Sequence, residues 1–121
     1  MSQHIEDSEQ MALFEWAQYQ SGKYPELALL FHVPNGGKRN AREAARFKRM
    51  GVKPGVPDLF LPVSRGGFYG LFIELKAHNG RVSENQGKWL RELYEQGYAV
   101  CVCFGFEEAK RDIIRYLDWK M

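Results

Sequence analysis

A chain of 121 residues holds one domain and excludes a multidomain machine, since globular domains cluster at about 100 to 150 residues. Hydrophobic residues at 45% and charged residues at 26% exclude a disordered chain. With no apolar run near the roughly 18 residues of a membrane span, and an acidic, polar MSQHIEDSEQ start, a soluble cytoplasmic protein is expected, neither secreted nor in a membrane. The net charge of +2 hides an asymmetry. Residues 36–56 carry Lys38, Arg39, Arg42, Arg46, Lys48, Arg49 and Lys53 against Glu43, whereas residues 1–30 carry Glu6, Asp7, Glu9, Glu15 and Glu26 against Lys23. A polyanion would meet one face only.

In chain order, Ala12, Leu13, Trp16 and Ala17 recur at helical spacing and predict an amphipathic helix from about Asp7 to Gln20, closed by Ser21-Gly22. Glu9 continues its apolar stripe, an odd place for a carboxylate without a partner. Glu6 lies near the same face one turn earlier, and acids at a helix start also complement the macrodipole. Leu27 to Val33, bounded by Pro25 and by Pro34-Asn35-Gly36-Gly37, predicts a buried strand feeding a tight loop. Asn40 with Glu43 opens a second helix that Gly51 stops. Arg42, Arg46 and Arg49, with Arg39 just before, share one stripe of it, a phosphate track or a solvated charged face.

Pro57–Val63 and Phe68–Lys76 read as antiparallel strands joined by Ser64-Arg65-Gly66-Gly67. Ser83 with Gln86 opens a helix that Gly97 ends, Tyr98–Phe104 is an apolar strand, and Glu107–Leu117 a last helix. Cys101 and Cys103 in that strand read as buried free thiols, matching neither a disulfide framework nor a zinc ribbon. The order is helix, strand, helix, strand, strand, helix, strand, helix: one α/β domain over residues 1–121, with a mixed four-stranded sheet flanked by helices.

Alternation along Leu71–Lys76 puts Phe72, Glu74 and Lys76 on one face. Alone, that Glu-x-Lys reads first as an ion pair on a solvent face and is a weak motif. The hairpin brings Asp58 alongside, although Pro-Asp is also common turn chemistry. Converging carboxylates repel unless a cation lies between them, and hard oxygen ligands suit Mg²⁺ or Mn²⁺, with no organic cofactor. Gln86 faces inward with Trp89, Leu90 and Leu93, but a capping box alone would explain it. His32 and His78 are candidates for phosphate or metal contacts, but as lone histidines without clustered partners they read first as structural or solvent residues. The aromatic residues read as packing, with no separate platform for stacking single-stranded bases.

The series Glu9, Gly55-Val56-Pro57-Asp58, Ile73-Glu74-Leu75-Lys76 and Ser83 to Gln86 resembles the PD-(D/E)XK nuclease superfamily, specifically its VRR-NUC branch of virus-type replication-repair nucleases. His32-Val33-Pro34-Asn35-Gly36-Gly37 and Gly97-Tyr98 extend the resemblance over nearly the whole chain. It implies a restriction-endonuclease-like core and a divalent-metal-dependent DNA endonuclease acting on branched DNA such as four-way junctions. It also suggests a homodimer serving repair or recombination in a bacterial or phage-infected cell. Asp58 and Glu74 would hold the metal with the Leu75 carbonyl, and Glu9 would be a more distant ligand. Lys76 would position or deprotonate the attacking water, and Gln86 would orient water or phosphate. Asn35, Lys38, Arg39, Arg42, Arg46, Arg49, Lys53, Arg81 and Lys88 are the expected DNA contacts. The rivals are a non-catalytic nucleic-acid-binding module on the same fold and an interaction protein whose basic helix grips an acidic partner.

Overall fold

A computed structural model describes residues 2–34 and 40–119. Helix α1 (Ser2–Tyr19) is followed by 3₁₀ turns at Gln20–Gly22 and Pro25–Leu29, then β1 (Phe31–His32), α2 (Ala41–Arg49), β2 (Leu59–Leu61), β3 (Leu71–Lys76), α3 (Glu84–Glu95), β4 (Ala99–Phe104) and α4 (Phe106–Leu117). The strands form one sheet in the order β1-β2-β3-β4. The β1–β2 and β2–β3 pairs are antiparallel, and β3–β4 is parallel. The parallel pair follows from α3, which carries the chain back to the start of the sheet before β4 begins. No helix among the described residues is long and apolar enough to cross a membrane.

Period-2 alternation sorts the two faces of the sheet. Leu59, Leu61, Leu71, Ile73, Leu75 and Cys103 bury against Leu13 and Trp16 of α1 and Ile113 and Leu117 of α4. The opposite face carries Phe60, Phe72 and Tyr98 in ring contact, with α3 beside it. Along α3, Gln86, Trp89, Leu90 and Leu93 are partly buried while Lys88, Arg91, Glu92 and Glu95 are exposed, as 3.6 periodicity predicts.

The strand expected over Leu27–Val33 shrinks to two residues. Pro25 pre-sets a helical φ and starts the 3₁₀ turn Pro25–Leu29. Leu27 and Leu30, three residues apart, then both reach the core, the period of a 3₁₀ turn rather than a strand. Helix α2 has no buried residue, so it contributes charge to the surface and little to the core.

Gly105 begins α4 at φ +97°, with no side-chain cap of its own. Glu9 supplies the missing acceptor, its Oε1 taking the Phe106 N–H at 2.5 Å. A Cβ on Gly105 would lie 2.9 Å from that oxygen. Gly105→Ala therefore combines backbone strain with disruption of this cap, and a destabilisation of about 1–3 kcal/mol in urea unfolding is expected.

Candidate active site

The β2–β3 register pairs Leu59 with Ile73 and Phe60 with Phe72, so one step further Asp58 stands across from Glu74. Asp58 is fastened by the backbone of the strand it faces, its Oδ2 accepting the Leu75 N–H at 2.8 Å. Its carbonyl accepts from Val33 N at 2.7 Å and lies 2.9 Å from His32 Nδ1. Edge strand β1 thus steadies the start of β2, a role for His32 that no spacing announces.

Glu74 and Lys76 are 2% and 8% exposed, so they do not form a solvated surface pair. Lys76 Nζ lies 3.5 Å from Glu74 Oε2 and donates to Gln86 Oε1 at 2.8 Å. Gln86 Nε2 donates to the same Glu74 oxygen at 3.2 Å. Gln86 is also a capping residue: its Oε1 accepts from Ser83 N at 2.9 Å, and its N–H donates to Ser83 Oγ at 3.1 Å. The two explanations of Gln86 hold together, because the first turn of α3 caps itself directly over the end of β3.

The electrostatics of this group are unbalanced. Glu74 Oε1 is buried with no hydrogen-bond partner among the described residues. Burial, then the negative charge of Asp58, raises the Glu74 carboxyl to about 8, while Lys76 pulls in the opposite direction. A cation between the carboxylates would give the orphaned oxygen a partner and remove the repulsion. Two carboxylates without sulfur or imidazole among them form a hard oxygen donor set, which fits Mg²⁺ or Mn²⁺.

The two acids of α1 part company. Glu9 is held at the start of α4 by its bond to Phe106. Glu6 Oε2 reaches the Ala77 N–H at 3.4 Å and lines a cavity of about 420 Å³ with Lys76, His78, Asn79 and Arg81. His78, read first as a structural or solvent residue, lines that cavity with Lys76 and Glu6. Of the expected DNA contacts, Asn35, Lys38 and Arg39 lie outside the described residues. Arg42, Arg46 and Arg49 are exposed on α2, and Lys53 is exposed after it. Arg81 is exposed at the cavity rim, and Lys88 shares an open depression on α3 with Arg91. Nothing in the sequence singles out Arg91, because it lies among the charged residues on the polar side of its helix.

The mixed sheet thus sets two facing carboxylates and a lysine at one strand end, with a glutamine of α3 beside them. The family model for the VRR-NUC domain matches residues 5–107, and the chain belongs to that family. A solved structure described as a VRR_NUC domain protein is 33% identical, with 96% of this chain and 90% of that chain covered and a TM-score of 0.83. No curated protein matches the sequence. Family membership implies a nuclease-type domain with DNA as its substrate, and nucleases of this kind typically depend on a divalent metal.

Proposed function

We propose that the protein is a Mg²⁺- or Mn²⁺-dependent DNA endonuclease that hydrolyses phosphodiester bonds in branched or structured DNA. The observation that carries this reading is the buried Glu74 carboxylate, with one oxygen unpartnered among the described residues, its pKa raised by burial and then by Asp58 across the strand pair, and contacted by both Lys76 and Gln86. Asp58, Glu74 and the Leu75 carbonyl would hold the cation. Glu6, which lines one cavity with Lys76, takes the part of the α1 acid in preference to Glu9, whose Oε1 accepts from Phe106 N at the start of α4. The cation, when bound, would polarise a phosphoryl oxygen and offset the charge that develops on it. Lys76 adds a second positive charge at the strand end and positions the attacking water, while Gln86 fixes the ammonium at 2.8 Å. Cleavage of matched duplex, flap and four-way-junction DNA with Mg²⁺, Mn²⁺ or EDTA tests this reading. No cutting of any substrate with DNA binding retained would favour the non-catalytic binding module.

The exposed arginines of α2 would hold the phosphate backbone without reading sequence. Arg42→Ala with Arg46→Ala should weaken binding of every DNA and reduce the slope of log affinity against log salt by about 1 for each phosphate no longer neutralised. An unchanged slope in a fluorescence-anisotropy titration would remove α2 from the interface. One domain offers one active site, so coordinated cutting of two strands calls for a homodimer on DNA. Sedimentation showing only monomer with and without DNA would eliminate that part of the proposal.

A further inference from the structure

On the face of the sheet opposite Glu74, Cys101 and Cys103 point the same way from β4, two residues apart, toward Asp112 of α4. Their sulfurs are 3.6 Å apart, and Cys103 Sγ lies 3.4 Å from Asp112 Oδ2. The three ligand atoms all lie within 4.8 Å of one another. Tetrahedral zinc, with Zn–S about 2.3 Å and Zn–O about 2.0 Å, has edges of about 3.8 Å between two sulfurs and about 3.5 Å between sulfur and oxygen. The two measured edges are close to those lengths, so little movement separates this cluster from a coordination sphere.

We propose that Cys101, Cys103 and Asp112 form a binding site for a thiophilic divalent cation of the zinc type, separate from the carboxylate site and tying edge strand β4 to α4.

The surroundings fit a cation. Asp112 Oδ1 faces Arg111 Nε and Arg115 Nη1, each at 3.9 Å, which orients the carboxylate so that Oδ2 is left for the sulfur side. Two thiolates and a carboxylate would together carry three negative charges, and a divalent ion with two nearby guanidinium groups offsets them. Cys101 and Asp112 also line a cavity of about 220 Å³ with Ala99, Tyr116 and Trp119. That opening gives an ion a way in and leaves room for water as a fourth ligand. In the metal-free protein the Cys103 thiol stays protonated, pushed up by the hydrogen bond to Cys101 and by burial. Binding therefore releases thiol protons to solvent as metal–sulfur bonds form. Soft sulfur ligands distinguish this site from the hard oxygen set around Glu74.

The test uses the reduced, EDTA-treated full chain titrated with Co²⁺ and then Zn²⁺. The expected result is one equivalent of Co²⁺ giving thiolate-to-cobalt charge-transfer absorption and the strong visible bands of tetrahedral cobalt. Zn²⁺ should displace the signal, protect both thiols from alkylation and raise the melting temperature. Cys101→Ser, at a partly exposed position, and Asp112→Asn should each weaken Zn²⁺ binding at least tenfold, and this pair avoids disturbing fully buried Cys103. Asp58→Ala should keep the cobalt spectrum, so failure of the nuclease reading and failure of this one remain distinguishable. Absence of thiolate–cobalt absorption in the wild type, or its survival at full affinity in both Cys101→Ser and Asp112→Asn, would overturn the proposal.

Discussion

Asp58→Ala should lower the single-turnover rate of DNA cleavage by about 1,000-fold or more, equivalent to about 4 kcal/mol of transition-state stabilisation, while DNA affinity should change little. The substitution removes one of two facing carboxylates and frees the Leu75 N–H that holds it, whereas the basic surface of α2 is untouched. Lys76→Ala should slow cleavage to a similar degree for a different reason. It takes away the ammonium 3.5 Å from Glu74 and leaves a buried carboxylate with less compensation, so Lys76→Met, which keeps the side chain's bulk, is the necessary companion. Matched cleavage and anisotropy measurements with one junction substrate separate catalysis from binding. Normal cutting by both Asp58→Ala and Lys76→Ala would show that the site has been misplaced.

The second large effect is a stability that depends jointly on pH and metal. In EDTA-treated protein the Glu74 carboxyl holds its proton up to about 8, against 4.5 for the ordinary group. Between those values the native state binds more protons than the unfolded chain, so the slope of unfolding free energy with pH is negative there. The contribution is fully present below 4.5 and is lost as pH rises through about 8. Urea midpoints should therefore fall across this window without metal. Mg²⁺, which has little affinity for thiols, should raise the midpoint more at the alkaline end than at the acidic end, because only the ionised carboxylate is a ligand. Asp58→Asn should shrink the slope by removing a charge that raises Glu74, and Glu74→Gln should remove this part of it. Superimposable pH profiles for wild type and Glu74→Gln would refute the assignment of Glu74 as the titrating group.

Local signals in the sequence suffice for the order of helices and strands, the antiparallel hairpin, the inward face of α3 and the gathering of Asp58, Glu74, Lys76 and Gln86. Each depends on short-range periodicity, on capping chemistry or on the register of one hairpin. Leu27 to Leu30 is ambiguous at that level because an apolar run satisfies a 3₁₀ turn and a strand equally well, and only the position of Pro25 against the core separates them. The α1 acids are ambiguous for a longer-range reason. Glu6 and Glu9 lie three residues apart on one helix, yet they meet Ala77 and Phe106 respectively, partners 71 and 97 residues away in sequence. Likewise, Cys101 and Cys103 read as plain strand core until α4 brings Asp112 to 3.4 Å. The sequence by itself determined which residue types line the site and on which strand face they stand, because backbone periodicity is local. Only the tertiary structure decided how deeply Glu74 is buried, which backbone groups the two acids of α1 meet and what faces the thiols, because burial and charge coupling arise from segments brought together by packing.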